Sequence, residues 1–347
     1  MYAKQLIKRT FGTVSPKFPE STVAGLYKRA VAENHYQDAV RFGSQKINWT
    51  LREFDRYSSA FAFGLLESGY ARGDKLVLWA DQTNSAELLV AQMGAFKAGV
   101  QIVTFDEKES IDAVDQTLRD SGARGFLFSP QTVVSQDANH HSVTRQTFLQ
   151  KLMPELHGLY PGDELALKAY PHLKQIIQLG HHTIRGVIKF KDAMVYANPN
   201  LSNFEIPTNQ SGDAAFSAYQ NGKEVASFTS GDLVQEASNL WSAHFKQGDS
   251  ATPVFISVDL ETPLGLASFL ANNAHGRKVS LKTQQSTTIV TDQELVEIEA
   301  PASKKAEFAE LTQSVTKIVV AGNKRVSASS LFANARDFTT INPYTLQ

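Results

Sequence analysis

The chain has 347 residues, a net charge of -1 and no cysteine. Balanced charge gives no electrostatic footprint for a nucleic-acid backbone. The lack of cysteine excludes disulfides, thiolate nucleophiles and thiolate metal sites, and no apolar run approaches the roughly 18 residues of a membrane-spanning helix.

Residues 1–21 are set apart as a basic N-terminal arm. Lys4, Lys8, Arg9 and Lys17 precede the first acid, Glu20, and Leu6, Ile7 and Phe11 can share a helical face. The pattern is that of a mitochondrial targeting segment or of a retained docking arm.

From residue 22 onward, helices and strands alternate. Leu26, Ala30 and Val31 mark a helix before the strand Asp38–Phe42. Thr50 and Glu53 have the spacing of a capping box, and Leu51, Phe54, Tyr57, Phe61 and Leu65 give the helix behind it one buried face. Gly69 ends that helix, and Lys75–Ala80 is the next strand. Asn84 and Glu87 suggest a second capping box, followed by a helix ending near Gly99 and the strand Val100–Phe105. A helix over Ser110–Leu118 leads to the strand Gly125–Phe128.

Residues 130–165 are less regular, with a helix over Thr147–Leu156 broken at Pro154. His172–Leu179 reads as a strand, and a short helix begins after Phe190. Residues 198–212, rich in Asn, Ser and Pro, read as a linker. Beyond Leu233 come a helix through Ala237, Leu240, Trp241 and His244, capped by Ser230 or Asp232, then a strand at Pro253–Val258 and a helix at Pro263–Ala271. Short strands at Lys278–Leu281, Thr287–Val290 and Val315–Val320, a helix at Ala328–Ala335 and a strand at Phe338–Asn342 complete the order. Such alternation predicts βαβ units, an α/β fold of mostly parallel sheets flanked by helices.

The stretch Asp213–Leu233 is the natural candidate site. It reads as a strand turning through a polar loop into a helix, the arrangement that binds phosphate when the loop is rich in glycine.

The order of elements, with Gly64-Leu-Leu-Glu-Ser-Gly-Tyr-Ala-Arg-Gly-Asp-Lys-Leu76, Phe96-Lys-Ala-Gly99 and Pro171-His-Leu-Lys-Gln-Ile-Ile177, resembles the N-terminal domain of adenylate-forming enzymes. These are the acyl-CoA synthetase and AMP-binding family, and the nearest flavour is its mitochondrial medium-chain branch. Scaffold positions across residues 22–347 carry the resemblance. It implies ATP-dependent acyl-adenylate formation followed by transfer to a thiol.

The family's phosphate loop reads Thr-Ser-Gly-Thr-Thr-Gly, one variable residue, then Pro-Lys-Gly. Aligned backwards from the following helix, this chain has Phe216-Ser-Ala-Tyr-Gln-Asn-Gly-Lys-Glu-Val225. Ser217 matches. Ala218, Asn221 and Val225 stand at glycine positions, Tyr219 and Gln220 at hydroxyl positions, and Glu224 at the lysine. Gly222 and Lys223 survive one place out of register. Side chains at glycine positions block the approach of phosphate to the backbone. A carboxylate at the lysine position replaces attraction by repulsion, worth roughly several kcal/mol when partly desolvated.

The resemblance also implies a magnesium-holding glutamate near the end of the chain, where Gln347 stands; an amide is the poorer ligand. The family's ribose-binding aspartate, hinge and small C-terminal catalytic domain find no counterpart in the sequence. The pairs His140-His141 and His181-His182 are not chelates, because adjacent strand residues face opposite ways. Neither a serine nucleophile elbow nor a dinucleotide fingerprint is present.

The expectation is a pseudoenzyme without catalytic residue, cofactor or metal. It would serve as a structural accessory subunit of a mitochondrial assembly, a respiratory complex or ATP synthase, in the matrix or on the matrix side of the inner membrane. Its partners are then protein subunits and not nucleic acid. The alternatives are a non-catalytic nucleotide- or acyl-binding module, and a residual acyl-CoA ligase completed by a partner chain.

Overall fold

The computed structural model describes residues 20–105, 109–136, 142–196, 209–245, 253–281, 288–292, 317–321 and 337–341, with Tyr344 and Leu346. Helix α1 (Val23–Asn34) starts at Thr22, whose hydroxyl accepts from Gly25 N. Strands β1 (Asp38–Phe42) and β2 (Ile47–Thr50) pair antiparallel. Four residues against a helix start are too few to show a strand's period of two, so β2 is invisible in the sequence. Helix α2 (Leu51–Glu67) opens with the expected capping box: Thr50 N donates to Glu53 Oε2 at 2.8 Å, and Glu53 N to Thr50 Oγ1 at 3.2 Å.

The next five elements are β3 (Lys75–Trp79), α3 (Ser85–Ala98), β4 (Gln101–Phe105), α4 (Ile111–Asp120) and β5 (Gly125–Phe128). They are two βαβ units sharing β4. Asn84 precedes α3 without capping it through its side chain. Its amide donates instead to Asp81 Oδ1 at 2.6 Å and Ser129 Oγ at 3.2 Å. The irregular segment holds a hairpin of β6 (Val133–Gln136) and β7 (Ser142–Thr144), then α5 (Arg145–Leu152). A short 3-10 turn begins at Pro154, as the proline demands. Next come β8 (Gln175–Gln178), β9 (Ile188–Lys189), β10 (Ala214–Gln220), β11 (Lys223–Thr229) and α6 (Ser230–Leu240). The second half comprises β12 (Val254–Ile256), α7 (Pro263–Asn273), β13 (Val279–Ser280), β14 (Thr288–Asp292), β15 (Lys317–Ala321) and β16 (Asp337–Ile341).

Among the described residues the strands form two large sheets. One runs β11-β10-β4-β3-β5-β8-β9 and is parallel except for β11; the other runs β16-β15-β14-β12-β13-β1-β2 and is parallel except for β2. Each antiparallel strand lies at an edge. The first sheet is covered on both faces. Val77, Trp79, Val103 and Phe105 join Val114 and Leu118 of α4 in one core, while Leu76, Leu78 and Ile102 join α2, α3, α6 and α7 in the other. Covering both faces explains why β4 and β5 are buried at every position.

Helices α3 and α7 are buried on nearly every side and share one apolar core with strands of both large sheets. The halves are also joined by hydrogen bonds to the connection between β12 and α7. Gln92 Nε2 on α3 donates to Leu260 O at 2.8 Å. Thr104 Oγ1 on β4 donates to Glu261 O at 2.7 Å, and Ala80 N, one residue past β3, donates to Glu261 Oε1 at 3.0 Å. Gln92, Thr104 and Glu261 are all buried. Lys97 closes α3 against α2 by donating to Asp55 Oδ1 at 2.7 Å, Ser58 Oγ at 2.7 Å and Ser59 Oγ at 2.9 Å. Burial holds its ammonium below the usual lysine range despite Asp55.

Candidate functional site

The stretch that reads as strand, loop and helix folds as a hairpin. Strand β10 continues through Gln220, only Asn221 and Gly222 turn the chain, and β11 returns from Lys223 to Thr229. Asn221 and Gly222 both have positive φ, 49° and 72°. That is the geometry a tight two-residue hairpin needs, and Asn-Gly is the pair that adopts it most readily. The expected polar loop is therefore two residues long. Ser217, Ala218, Tyr219 and Gln220 lie on β10, and Lys223, Glu224 and Val225 on β11. The missed signal was Asn-Gly between runs of strand-forming residues.

Pairing uses the backbone that a phosphate cradle would leave free. Phe216, Ser217, Ala218 and Tyr219 pair with Ile102–Phe105 of β4 on one side and with β11 on the other. Ser217, Ala218 and Tyr219 are buried, while Lys223, Glu224 and Val225 are exposed. Val225 is an extra residue in β11: Ala218 faces Ala226 and Tyr219 faces Glu224. Such a bulge on an edge strand disrupts its outer hydrogen-bonding row.

The side chains form a closed network. Gln101 Nε2 donates to Ser217 Oγ at 2.7 Å, Ser217 Oγ donates to Glu224 Oε1 at 3.3 Å, and Tyr219 OH donates to Glu224 Oε2 at 3.4 Å. Ser227 Oγ lies 3.3 Å from Ser217 Oγ. Burial, and then the Glu224 carboxylate, push the Tyr219 phenol above its ordinary range. The turn rests on α4 and the residues before it. Asn221 N donates to Glu109 Oε1 at 2.8 Å, and a Cβ on Gly222 would stand 2.6 Å from Gln116 Oε1. Glu109 and Glu224 thus bring two carboxylates close to the turn, with the exposed Lys223 beside it.

The helix behind the hairpin is capped by Thr229, not by Ser230 or Asp232. Asp232 N donates to Thr229 Oγ1 at 3.1 Å and Thr229 N to Asp232 Oδ2 at 2.9 Å, a capping box. The spacing of one hydroxyl and a carboxylate three residues later was the available signal. Ser230, freed from capping, accepts from Val23 N through its hydroxyl at 2.9 Å. Trp241 and His244 lie beyond α6 in a single turn of π-helix, so they leave the face predicted for them.

A second polar cluster, which sequence reasoning did not single out, sits at the carboxyl ends of β3 and β5. Asp81 accepts from Thr132 Oγ1 at 2.5 Å, Thr83 Oγ1 at 2.6 Å and Asn84 Nδ2 at 2.6 Å. Burial opposes its charge, but these donors and the nearby Arg145 hold its carboxyl below the usual range. Arg145 is fully buried, donates from Nη1 to Trp79 O at 2.7 Å and Ala80 O at 2.9 Å, and stands 4.3 Å from the Trp79 ring centre.

His181 and His182 are exposed, and Gln178 Nε2 donates to His182 O at 2.7 Å. Among the described residues no three His, Asp or Glu side chains come together in a metal-ligating group. Residues 1–19, 198–208, the pair His140-His141, the helix expected at Ala328–Ala335 and Gln347 lie outside the described residues.

Two parallel sheets with the hairpin at the carboxyl edge of one define the architecture of the adenylate-forming N-terminal domain. Residues 27–183 match the family model described as AMP-binding enzyme. YngI of Bacillus subtilis (strain 168), described as an acyl-CoA synthetase, is 26% identical over 177 residues, 51% of this chain and 30% of its own length. The mitochondrial medium-chain acyl-CoA ligase ACSF2 of Bos taurus is 24% identical over 146 residues, 42% of this chain and 22% of its own. The chain therefore spans less than a third of either relative. Two solved structures share the fold. The N-terminal domain of FACL13 from Mycobacterium tuberculosis has a TM-score of 0.62 at 13% identity, covering 92% of this chain and 75% of that one. The anthranilate CoA ligase AuaEII, bound to anthranoyl-AMP, has a TM-score of 0.62 at 15% identity, covering 87% and 54%. This chain is thus similar to AMP-binding enzymes over residues 27–183, acyl-CoA synthetases among them, and shares the N-terminal part of their fold.

Proposed function

We propose that this chain is a non-catalytic acyl-CoA synthetase-like protein that serves as an accessory subunit of a larger mitochondrial assembly, a respiratory complex or the ATP synthase. The observation that carries the loss of catalysis is the Asn221–Gly222 turn. Where the family resemblance calls for a ten-residue phosphate loop, two residues connect paired strands. Backbone amides committed to a sheet do not wrap a triphosphate, and Glu109 and Glu224 place carboxylates beside the turn.

The compartment rests on the basic residues Lys4, Lys8, Arg9 and Lys17 and on the similarity to ACSF2, whose name assigns it to mitochondria. A fold kept without its chemistry is under selection for its surface, which is the reason for favouring protein partners. Purification of the native protein under mild conditions, followed by mass spectrometry, tests this reading. Stoichiometric co-purifying subunits are expected; a free monomer overturns it. Saturable ATP-dependent acyl transfer by the pure chain would overturn the non-catalytic part independently.

A further inference from the structure

The carboxyl edge of the first sheet has a topological switch point. The connection after β3 carries α3 into one core and returns to β4, whereas the connection after β4 carries α4 into the other core and passes to β5. Where adjacent parallel strands send their connections to opposite faces, a crevice opens at their carboxyl ends, and open α/β sheets bind their ligands there.

In this chain that crevice is filled from within. Leu260 and Glu261 enter it from the other half of the molecule. Ala80 N, at the end of β3, donates to Glu261 Oε1 at 3.0 Å, and Thr104 Oγ1, near the end of β4, donates to Glu261 O at 2.7 Å. Gln92 Nε2 fixes the preceding carbonyl, Leu260 O, at 2.8 Å. Glu261 is only 6% exposed, rare for a glutamate, and its carboxyl group counts the Ala80 N–H at the end of β3 among its partners. Thr262 caps α7, and Gly265 packs so closely on the connection before it that a Cβ would stand 2.3 Å from Asp259 O.

We infer that the switch-point crevice is a carboxylate-binding site whose resident ligand is the chain's own Glu261. The side chain supplies the acceptor that a small monocarboxylate would supply, and the Ala80 amide is the donor that reads it. The occupied crevice couples the two sheets, so the site serves as a latch while Glu261 is present. The inference is independent of the hairpin and of whether the chain binds nucleotide.

The test removes the resident carboxyl group and offers a substitute. In the full chain, E261A is expected to melt about 5 °C below the parent, since it leaves a buried amide unpaired. Sodium acetate is expected to recover about half of that fall in a saturable manner, as a ligand bound only to the folded state does. Acetamide and sodium chloride serve as controls for amide polarity and ionic strength. The parent chain and E261Q, which keeps an acceptor for Ala80 N, are expected to show no acetate-specific gain. If E261A does not fold alone, its refolding yield is measured in acetate against chloride, with selective recovery in acetate expected. Equal responses of E261A and the parent to acetate, or a folded E261A indifferent to it, overturn the inference. So does a refolding yield that is the same in both salts.

Discussion

Two places at the carboxyl edge of the first sheet could have held a ligand, and the chain closes them in opposite ways. At the Asn221–Gly222 turn the closure is local: two residues connect paired strands, and main-chain pairing occupies the strand amides. At the switch point the closure is remote: Glu261 arrives from about 180 residues downstream of Ala80. The first closure lies in backbone pairing and the second rests on one side chain, so a single substitution is expected to open only the second.

The largest effect expected at the hairpin comes from Phe216→Ala. Phe216 is fully buried between β4 and the helices, and its removal leaves a cavity costing about 3–5 kcal/mol. Chemical denaturation measures this, and a loss under 1 kcal/mol would mean that β10 is not part of the packed sheet. At the crevice, Thr104→Val leaves the Glu261 carbonyl without its buried donor, for a cost of about 1–3 kcal/mol. A neutral result would show that the latch does not depend on β4.

Gly222→Ala sharpens the comparison further. It forces a side chain into a positive-φ position and against Gln116, costing about 1–2 kcal/mol by the same denaturation assay. The smallest effect is expected for Glu224→Gln, on an exposed edge, at less than about 0.5 kcal/mol. A larger loss would make the Ser217–Glu224–Tyr219 network a structural centre.

One expectation concerns pH. The folded-state pKa of Tyr219 is raised above its unfolded value of about 10 by burial and by Glu224. Its contribution is fully present below pH ~10 and is lost as pH rises through the folded value. Tyr219→Phe should therefore flatten part of the alkaline fall in melting temperature. Identical profiles above pH ~10 for the two proteins would remove Tyr219 from the account. Tyr27, Tyr70 and Tyr170 are raised by burial as well and contribute to the same fall in both.

The sequence made the long elements legible because their signals are local. The Thr50–Glu53 box, the apolar face behind it and the strands at Lys75 and Gln101 follow from local pattern alone. Errors arose where two local signals competed. Asn84 resembles an N-cap, yet Asp81 and Ser129 outbid the helix for its amide. Ser230 stands next to the true cap, Thr229, and spends its hydroxyl on α1 instead.

At the candidate site the residue identities are legible and their conformation is not, because Ser217–Val225, set position by position against a longer loop, conceals its Asn-Gly turn signal. Glu261 was illegible for a different reason. A glutamate between Leu260 and Thr262 looks like any surface acid before a helix, and only tertiary packing against Ala80 and Thr104 reveals its burial.

The claim that the hairpin has replaced a phosphate site is tested most directly by titrating the pure full chain with magnesium-ATP in a calorimeter. The closed turn predicts no saturable heat of binding. A saturable heat that is lost on substituting Lys223 or Ser217 would contradict it, and would mean that phosphate still docks at the Asn221–Gly222 turn.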